Sequence, residues 1–218
     1  MVQTLSTIHA RYAARVDPIR PLLELGALAL TASLHLLWPS LGLSRALLVL
    51  PLVVGWLSYF ALRWRLKPKL IADLGFRRQG LWESARLCGL LILVAAPAML
   101  TYGWWHEAEL TWAFGLTLLV YPVWGLVQQL LLQGLISHNL DKYLPVAATT
   151  LISSTLFGLV HWNEPILVGA TFLLGLVLTP LYLKHRNLWA LGVAHGWLGS
   201  LIYPLVLLRE PLAAYLPV

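Results

Sequence analysis

Long apolar runs separated by short polar links set the pattern of this chain. Seven such runs follow a polar N-terminal stretch, at about residues 21–43, 46–64, 85–105, 110–136, 144–161, 165–183 and 188–208. Each is near the roughly 20 residues a helix needs to cross hydrocarbon. Backbone groups in lipid must bond within their own segment, so these runs are expected to be helical. The pattern predicts an all-α fold, a polytopic membrane helix bundle of about seven transmembrane helices. The fifth run is short, and residues 137–143 read as an interfacial link. Ahead of the runs, Val2, Leu5, Ile8, Tyr12 and Val16 recur at helical spacing. That spacing suits a short helix lying on the membrane surface, and a frayed tail fits as well. Four regions follow: an interfacial segment at 1–20, three spans with a basic loop at 21–111, a core at 112–207 and a tail at 208–218.

Composition agrees with this reading. The chain is 59% hydrophobic and 11% charged, against roughly 25% charged in a soluble domain. The formal charge of +6 therefore signals topology and not nucleic acid, which is not expected as a partner. Thirteen of the fifteen basic residues fall on one side of the seven runs, leaving Arg45 and Arg209 on the other. The positive-inside rule then places the N-terminus in the cytoplasm and the C-terminus outside. Trp38, Trp104, Trp105 and Trp162 fall at outer ends, and Trp64, Trp82 and Trp189 at inner ends, as interfacial anchors do. The loop at 65–83 is basic enough to meet anionic lipid headgroups, although a plain topology signal explains it too. Cys88 is the only cysteine, which leaves neither a disulfide framework nor a thiolate metal site.

The chemistry lies in polar side chains inside the apolar runs. Gln128, Gln129 and Gln133 interrupt the fourth run, and amides in hydrocarbon are costly unless the protein bonds to them. On an α-helix Gln129 and Gln133 share a face, with Gln128 beside it. The fifth run carries small residues at Thr150, Ser154 and Gly158, with Phe157 and His161 on the adjoining surface. The seventh repeats the device with Gly192, Gly196 and Ser200 beside His195 and Gly199. Small residues at such spacing let helices approach closely, so both histidines are expected beside tight contacts. His138, Asn139 and Asp141 read as interfacial and capping residues, and His185 and Asn187 as a polar turn. Asn163-Glu164-Pro165 reads as a helix start capped by Asn163; Glu164 is also spaced to share a metal with His161. Counted from the inner ends, Gln128 and His195 lie at similar depth while His161 comes out nearer the outer side. The three converge only if the fifth helix begins deep.

The order of these motifs resembles the CPBP family of intramembrane proteases, which groups CAAX proteases with bacteriocin-processing and self-immunity proteins. That family's pattern is Glu-Glu-x-x-x-Arg, then Phe-x-x-x-His on the next span, then His-x-x-x-Asn two spans later. Here the matching positions read Gln128-Gln129-x-x-x-Gln133, Phe157-x-x-x-His161 and His195-x-x-x-Gly199. Gly134 follows the first motif as the family's glycine does, and the likeness covers roughly residues 112–207. It implies a CPBP-like core in a bacterial inner membrane and an intramembrane endopeptidase acting on a membrane protein or peptide, which could be lipidated. The implied catalytic residues are Gln128, Gln129, His161 and His195. Where the family is metalloprotease-like, the implied ion is zinc on His161 and His195, completed by Glu164 or solvent.

The departures from the pattern bear on mechanism. Glutamine orients water but cannot accept a proton at neutral pH as a carboxylate does. Gln133 removes the arginine that would pair with the missing carboxylates, so the site is neutralised as a set with both histidines kept. Three readings stay open. One is an endopeptidase with a histidine base. Another is a pseudoenzyme that holds a transmembrane segment or lipidated peptide without cutting it. The third is small-molecule or ion handling in a neutral polar cavity. Trp124 and Trp197 are expected to shape the walls of the site, with ordinary packing as the equal alternative.

Overall fold

The computed structural model describes residues 19–41 and 45–209. The surface helix expected over residues 1–17 and nearly all of the C-terminal tail lie outside the described residues. Within the described residues, each of the seven apolar runs forms a helix. Helix α1 spans Ile19–Leu37 and α2 spans Arg45–Leu66. A short helix that the sequence pattern did not suggest, α3 (Leu70–Leu74), precedes α4 (Leu81–Trp105). Then come α5 (Trp112–Leu140), α6 (Val146–Leu159), α7 (Pro165–His185) and α8 (Leu188–Leu205). The described residues contain no strand. The protein is an integral membrane helix bundle.

Among the described residues, five helices are long and apolar enough to cross a membrane unaided: α1, residues Leu47–Leu66 of α2, α4, α5 and α7. The other two depart from the picture of seven equal spans. With 14 residues, α6 is about 21 Å long, short of the ~30 Å hydrocarbon thickness. It begins at Val146, after the turn at 141–145, and ends before His161. Helix α8 sits at the centre, packed along α5 and α4. Leu188 and Leu191 there have no exposed surface. A helix enclosed by its neighbours can carry glycine, serine and histidine that a lipid-facing span could not.

Close backbone approach holds the centre together. A Cβ on Gly196 would lie 2.4 Å from the Tyr121 carbonyl oxygen, and one on Gly125 would lie 2.3 Å from the Gly192 carbonyl oxygen. So α5 and α8 touch backbone to backbone, where dispersion is gained without side-chain entropy loss. Helices α6 and α7 repeat the arrangement, with a Cβ on Gly175 falling 2.8 Å from Ser154 Cα. The small-residue rows read from the sequence perform this packing.

Helix α5 is not α-helical throughout. Residues Leu130–Ser137 form a π-helical segment, in which Ser137 Oγ donates to the Leu132 carbonyl (3.1 Å) and lies 2.9 Å from Ser153 Oγ on α6. The wider turn re-aims the glutamines. Gln129 and Gln133 are both fully buried, but Gln129 meets α8 while Gln133 Nε2 donates to Thr179 Oγ1 on α7 (3.0 Å). The single polar face expected for the pair is therefore divided between two neighbours.

At the basic end, buried Glu24 of α1 is fully paired. Its carboxylate accepts from Tyr59 (2.5 Å), from Arg63 and from Asn139 Nδ2 (2.6 Å), while Lys142 Nζ donates to Asn139 Oδ1 (2.7 Å). Partial burial, and the cations Arg63, Arg186 and Arg20, lower the Lys142 pKa against the opposing pull of Glu24. Asp141 pairs with Arg186 (2.5 Å), whose guanidinium also donates to His138 Nδ1. The basic loop is docked on the α7–α8 turn. Arg77 donates to the carbonyls of Arg186 and His185, and Asn187 Nδ2 to those of Arg77 and Gln79. Asn187 Oδ1 also caps α8 by accepting from the Ala190 amide (3.3 Å). Helix α7 is preceded by Glu164 in extended conformation with no side-chain cap bond. The expected Asn163 cap is therefore not formed; Pro165 in the first turn sets the start of α7 by its fixed φ.

Candidate active site

Short α6 solves the depth problem. Because it starts late and ends early, the turn after it returns His161 toward the bundle, and His161 and His195 meet on one cavity. The cavity holds about 440 Å³ and is lined by Gln128 and Trp124 of α5, His161 and Glu164 of the α6–α7 turn, and His195 of α8. The ring of Phe157 stands edge-on to both imidazoles, with centroids 5.7 Å from His161 and 5.0 Å from His195. Gln129 lies behind the wall and reaches the cavity only through His195.

Both Nδ1 atoms are engaged, in opposite senses. His161 Nδ1 lies 3.0 Å from the Phe157 carbonyl oxygen. A carbonyl only accepts, so Nδ1 carries the proton and the neutral ring keeps its lone pair on Nε2. His195 Nδ1 lies 3.1 Å from the amide nitrogen of Gln129. That amide donates, so Nδ1 accepts and the proton of neutral His195 resides on Nε2. Among the described residues neither Nε2 meets a protein partner. One ring can accept a proton from a molecule in the cavity and the other can donate one. Gln129 Oε1 is buried without a partner, as is Gln133 Oε1, which costs about 1–3 kcal/mol each.

The donor set does not fit a resident metal ion. No three His, Cys, Asp or Glu side chains among the described residues come close enough to hold one. Glu164 is at the rim, where its carboxylate pairs with Arg209 (2.8 Å); of the two completions expected for zinc on His161 and His195, Glu164 or solvent, the first would have to break that pair. Trp124 lines the cavity as expected. Trp197 does not; it faces outward, 43% exposed, and its indole donates to the Leu118 carbonyl (3.2 Å), tying α8 to α5. Gly199 lines the wall, with the Tyr121 ring 3.3 Å from where its Cβ would be.

Among the lining residues that sequence reasoning passed over are His35 of α1, Tyr121 of α5 and Thr171 of α7. Thr171 Oγ1 lies 3.1 Å from the same Phe157 carbonyl that orients His161. The signal for His35 was available, since an ionisable residue inside an apolar run is by default a functional candidate.

Helices α5 to α8 are also where the chain matches known proteins. Residues 108–201 match the family model described as type II CAAX prenyl endopeptidase Rce1-like. These residues, fewer than half of the chain, thus resemble the CPBP family that the sequence motifs suggest. Comparison with curated proteins and with solved structures gave no match. The matched segment ends within α8, so both histidines, all three glutamines and Gly199 fall inside it, while α1 to α4 lie outside. His35 and Arg209 line the cavity from outside the matched segment.

Proposed function

We propose that this CAAX protease-like membrane protein is an intramembrane endopeptidase whose base is a histidine. The observation that carries the reading is the pair of imidazoles on one cavity with Nδ1 atoms fixed in opposite senses. A peptide carbonyl lies toward His195 Nε2–H, which donates to the oxyanion as it forms. Gln128 orients a water, and His161 Nε2 takes its proton as the oxygen attacks the carbonyl carbon. The C–N bond then breaks, and His161 returns that proton to the leaving amine. Gln129 fixes the tautomer of His195 and is a positioning residue. Because the donor set does not fit a metal, no step is assigned to one. The substrate class is a membrane protein or peptide that could be lipidated, in keeping with the prenyl endopeptidases of the matching family and with the apolar residues of the cavity wall. The basic end faces the cytoplasm of a bacterial inner membrane, with the N-terminus inside and the C-terminus outside.

One observation favours a second reading, capture without cleavage. Glu164 is the one carboxylate among the described lining residues, and it is paired with Arg209. Co-expression of the protein with a prenylated peptide substrate, read by mass spectrometry, separates the two. Cleavage by wild type, lost in His161→Ala, supports the endopeptidase. Retention of intact peptide by wild type and by His161→Ala alike moves the conclusion to a binding protein. Elemental analysis of both proteins belongs beside it. About one zinc per chain, lost in His161→Ala/His195→Ala, would overturn the metal-free mechanism.

A further inference from the structure

The carbonyl that orients His161 is itself held in place from α7. Helix α6 tightens at its end, where the Val160 amide donates to the Leu156 carbonyl, the His161 amide to Gly158 and the Trp162 amide to Leu159. None of these amides reaches the Phe157 carbonyl, which is thus one of the orphan acceptors of a helix C-terminus. Two side chains take it instead. His161 Nδ1 lies 3.0 Å from the Phe157 oxygen and Thr171 Oγ1 lies 3.1 Å from it. Thr171 is buried and lines the same cavity as the imidazole. Helices α6 and α7 run close enough there for so short a side chain to span the gap, since a Cβ on Gly158 would lie 3.0 Å from the Val168 carbonyl oxygen. The single hydroxyl hydrogen is shared with carbonyls of its own helix, Leu167 at 2.6 Å and Val168 at 3.5 Å. Leu167 and Val168 lie inside α7, where carbonyls have backbone donors already. Phe157 has none, so the hydroxyl matters most to Phe157.

We propose that Thr171 is a positioning residue for His161, acting through the Phe157 carbonyl. The role rests on the reading of His161 as the base. In a serine-protease triad a buried carboxylate holds the imidazole in the right tautomer and stabilises the imidazolium. Here a backbone carbonyl at a helix C-terminus stands in that place, and the partial negative charge of the helix end favours the imidazolium as it forms. Tied to α7 by the hydroxyl, the carbonyl keeps the His161 proton on Nδ1 and leaves the Nε2 lone pair to the cavity. Without the hydroxyl the carbonyl is met by the ring alone, and the ring is free to turn or to change tautomer.

The test is nitrogen-15 NMR of the full-length chain, labelled at histidine, in detergent at a pH where imidazoles are neutral. The His161 signals are assigned by their absence in His161→Ala, and their shifts tell which ring nitrogen carries the proton without any turnover. Wild type should show His161 protonated on Nδ1. Thr171→Val keeps the branched shape and removes the hydroxyl, so it should give a mixture of tautomers, and Thr171→Ser should restore the single form. In peptide cleavage, kcat of Thr171→Val should fall about three- to tenfold with KM unchanged, the worth of one hydrogen bond, and recover in Thr171→Ser. Thr171→Ala carries the same test where thermal unfolding shows that the valine is not accommodated. A single Nδ1–H form that survives removal of the hydroxyl would overturn the proposal, as would a mixture that Thr171→Ser does not correct. A chain that cleaves no peptide yet shows these tautomer changes would refute the endopeptidase reading and leave the placement of His161 by Thr171 standing.

Discussion

At the scale of single residues, the two histidines carry different burdens, and their variants should separate them. His161→Ala removes the base, so turnover should fall about 10²–10⁴-fold with little change in substrate affinity. His195→Ala removes the oxyanion donor, at a cost of about 10²–10³-fold in kcat. Gln129→Met is the finer probe. It deletes the bond to His195 Nδ1 and the unpartnered Oε1 together, so loss and relief offset and melting temperature should move little. Activity should still fall, because nothing then fixes the His195 tautomer, and Gln129→Glu should not restore it, because a carboxylate accepts from Nδ1–H and leaves Nε2 of the neutral ring without the proton it donates. Steady-state kinetics beside thermal unfolding in detergent decides the matter. If Gln129→Met keeps full kcat, the positioning role is wrong. The identities of these residues were legible in the sequence because polar groups in hydrocarbon need a reason to be there. Which nitrogen each ring exposes was not, since it depends on a carbonyl and an amide that only packing brings within reach.

Among the elements, the α5–α8 contact decides whether the site exists. A methyl group on Gly196 would fall 2.4 Å from the Tyr121 carbonyl oxygen and 2.5 Å from Pro122 Cα, atoms that cannot turn aside as a side-chain tip does. Gly196→Ala should therefore cost about 1–3 kcal/mol or more, read as a lower melting temperature with loss of activity. Gly55→Ala and Gly26→Ala, where a Cβ meets nothing within 4 Å, are the controls and should leave stability nearly unchanged. All seven helices and the small-residue rows could be read from hydrophobic runs and residue size, because those properties are local. The π-helical turn at Leu130–Ser137 could not. It has no local signature beyond Ser137 reaching back to the Leu132 carbonyl, and it separates Gln133 from Gln129 against the expectation of a regular helix. The partners of Glu24 could have been sought, because a carboxylate in an apolar run requires them, and Tyr59 and Arg63 stand four residues apart on one helix face.

Across the whole molecule, one asparagine joins the two halves. Asn187 caps α8 through Oδ1 and, through Nδ2, donates to the carbonyls of Arg77 and Gln79 in the basic loop between α3 and α4. The Leu188 amide donates to the Gly75 carbonyl beside it (2.9 Å), and a Cβ on Gly80 would lie 2.5 Å from the His185 carbonyl oxygen. The loop is therefore seated on the α7–α8 turn by backbone groups, and its basic charge is only part of its role. Two substitutions divide the work of Asn187. Asn187→Asp keeps an oxygen for the Ala190 amide and places negative charge at a helix N-terminus, so the cap survives. It loses the amide donor, and its charge faces two carbonyl oxygens. Asn187→Ala loses cap and donor together, and the cap alone is worth about 0.5–2 kcal/mol. If the donor seats the loop, both variants should expose residues 75–80 to proteolysis at similar rates, while only Asn187→Ala should suffer the additional loss of thermal stability from fraying of α8. Proteolysis in Asn187→Ala alone would mean that the cap, and not the bridge to the loop, holds α8 in the position from which it presents His195.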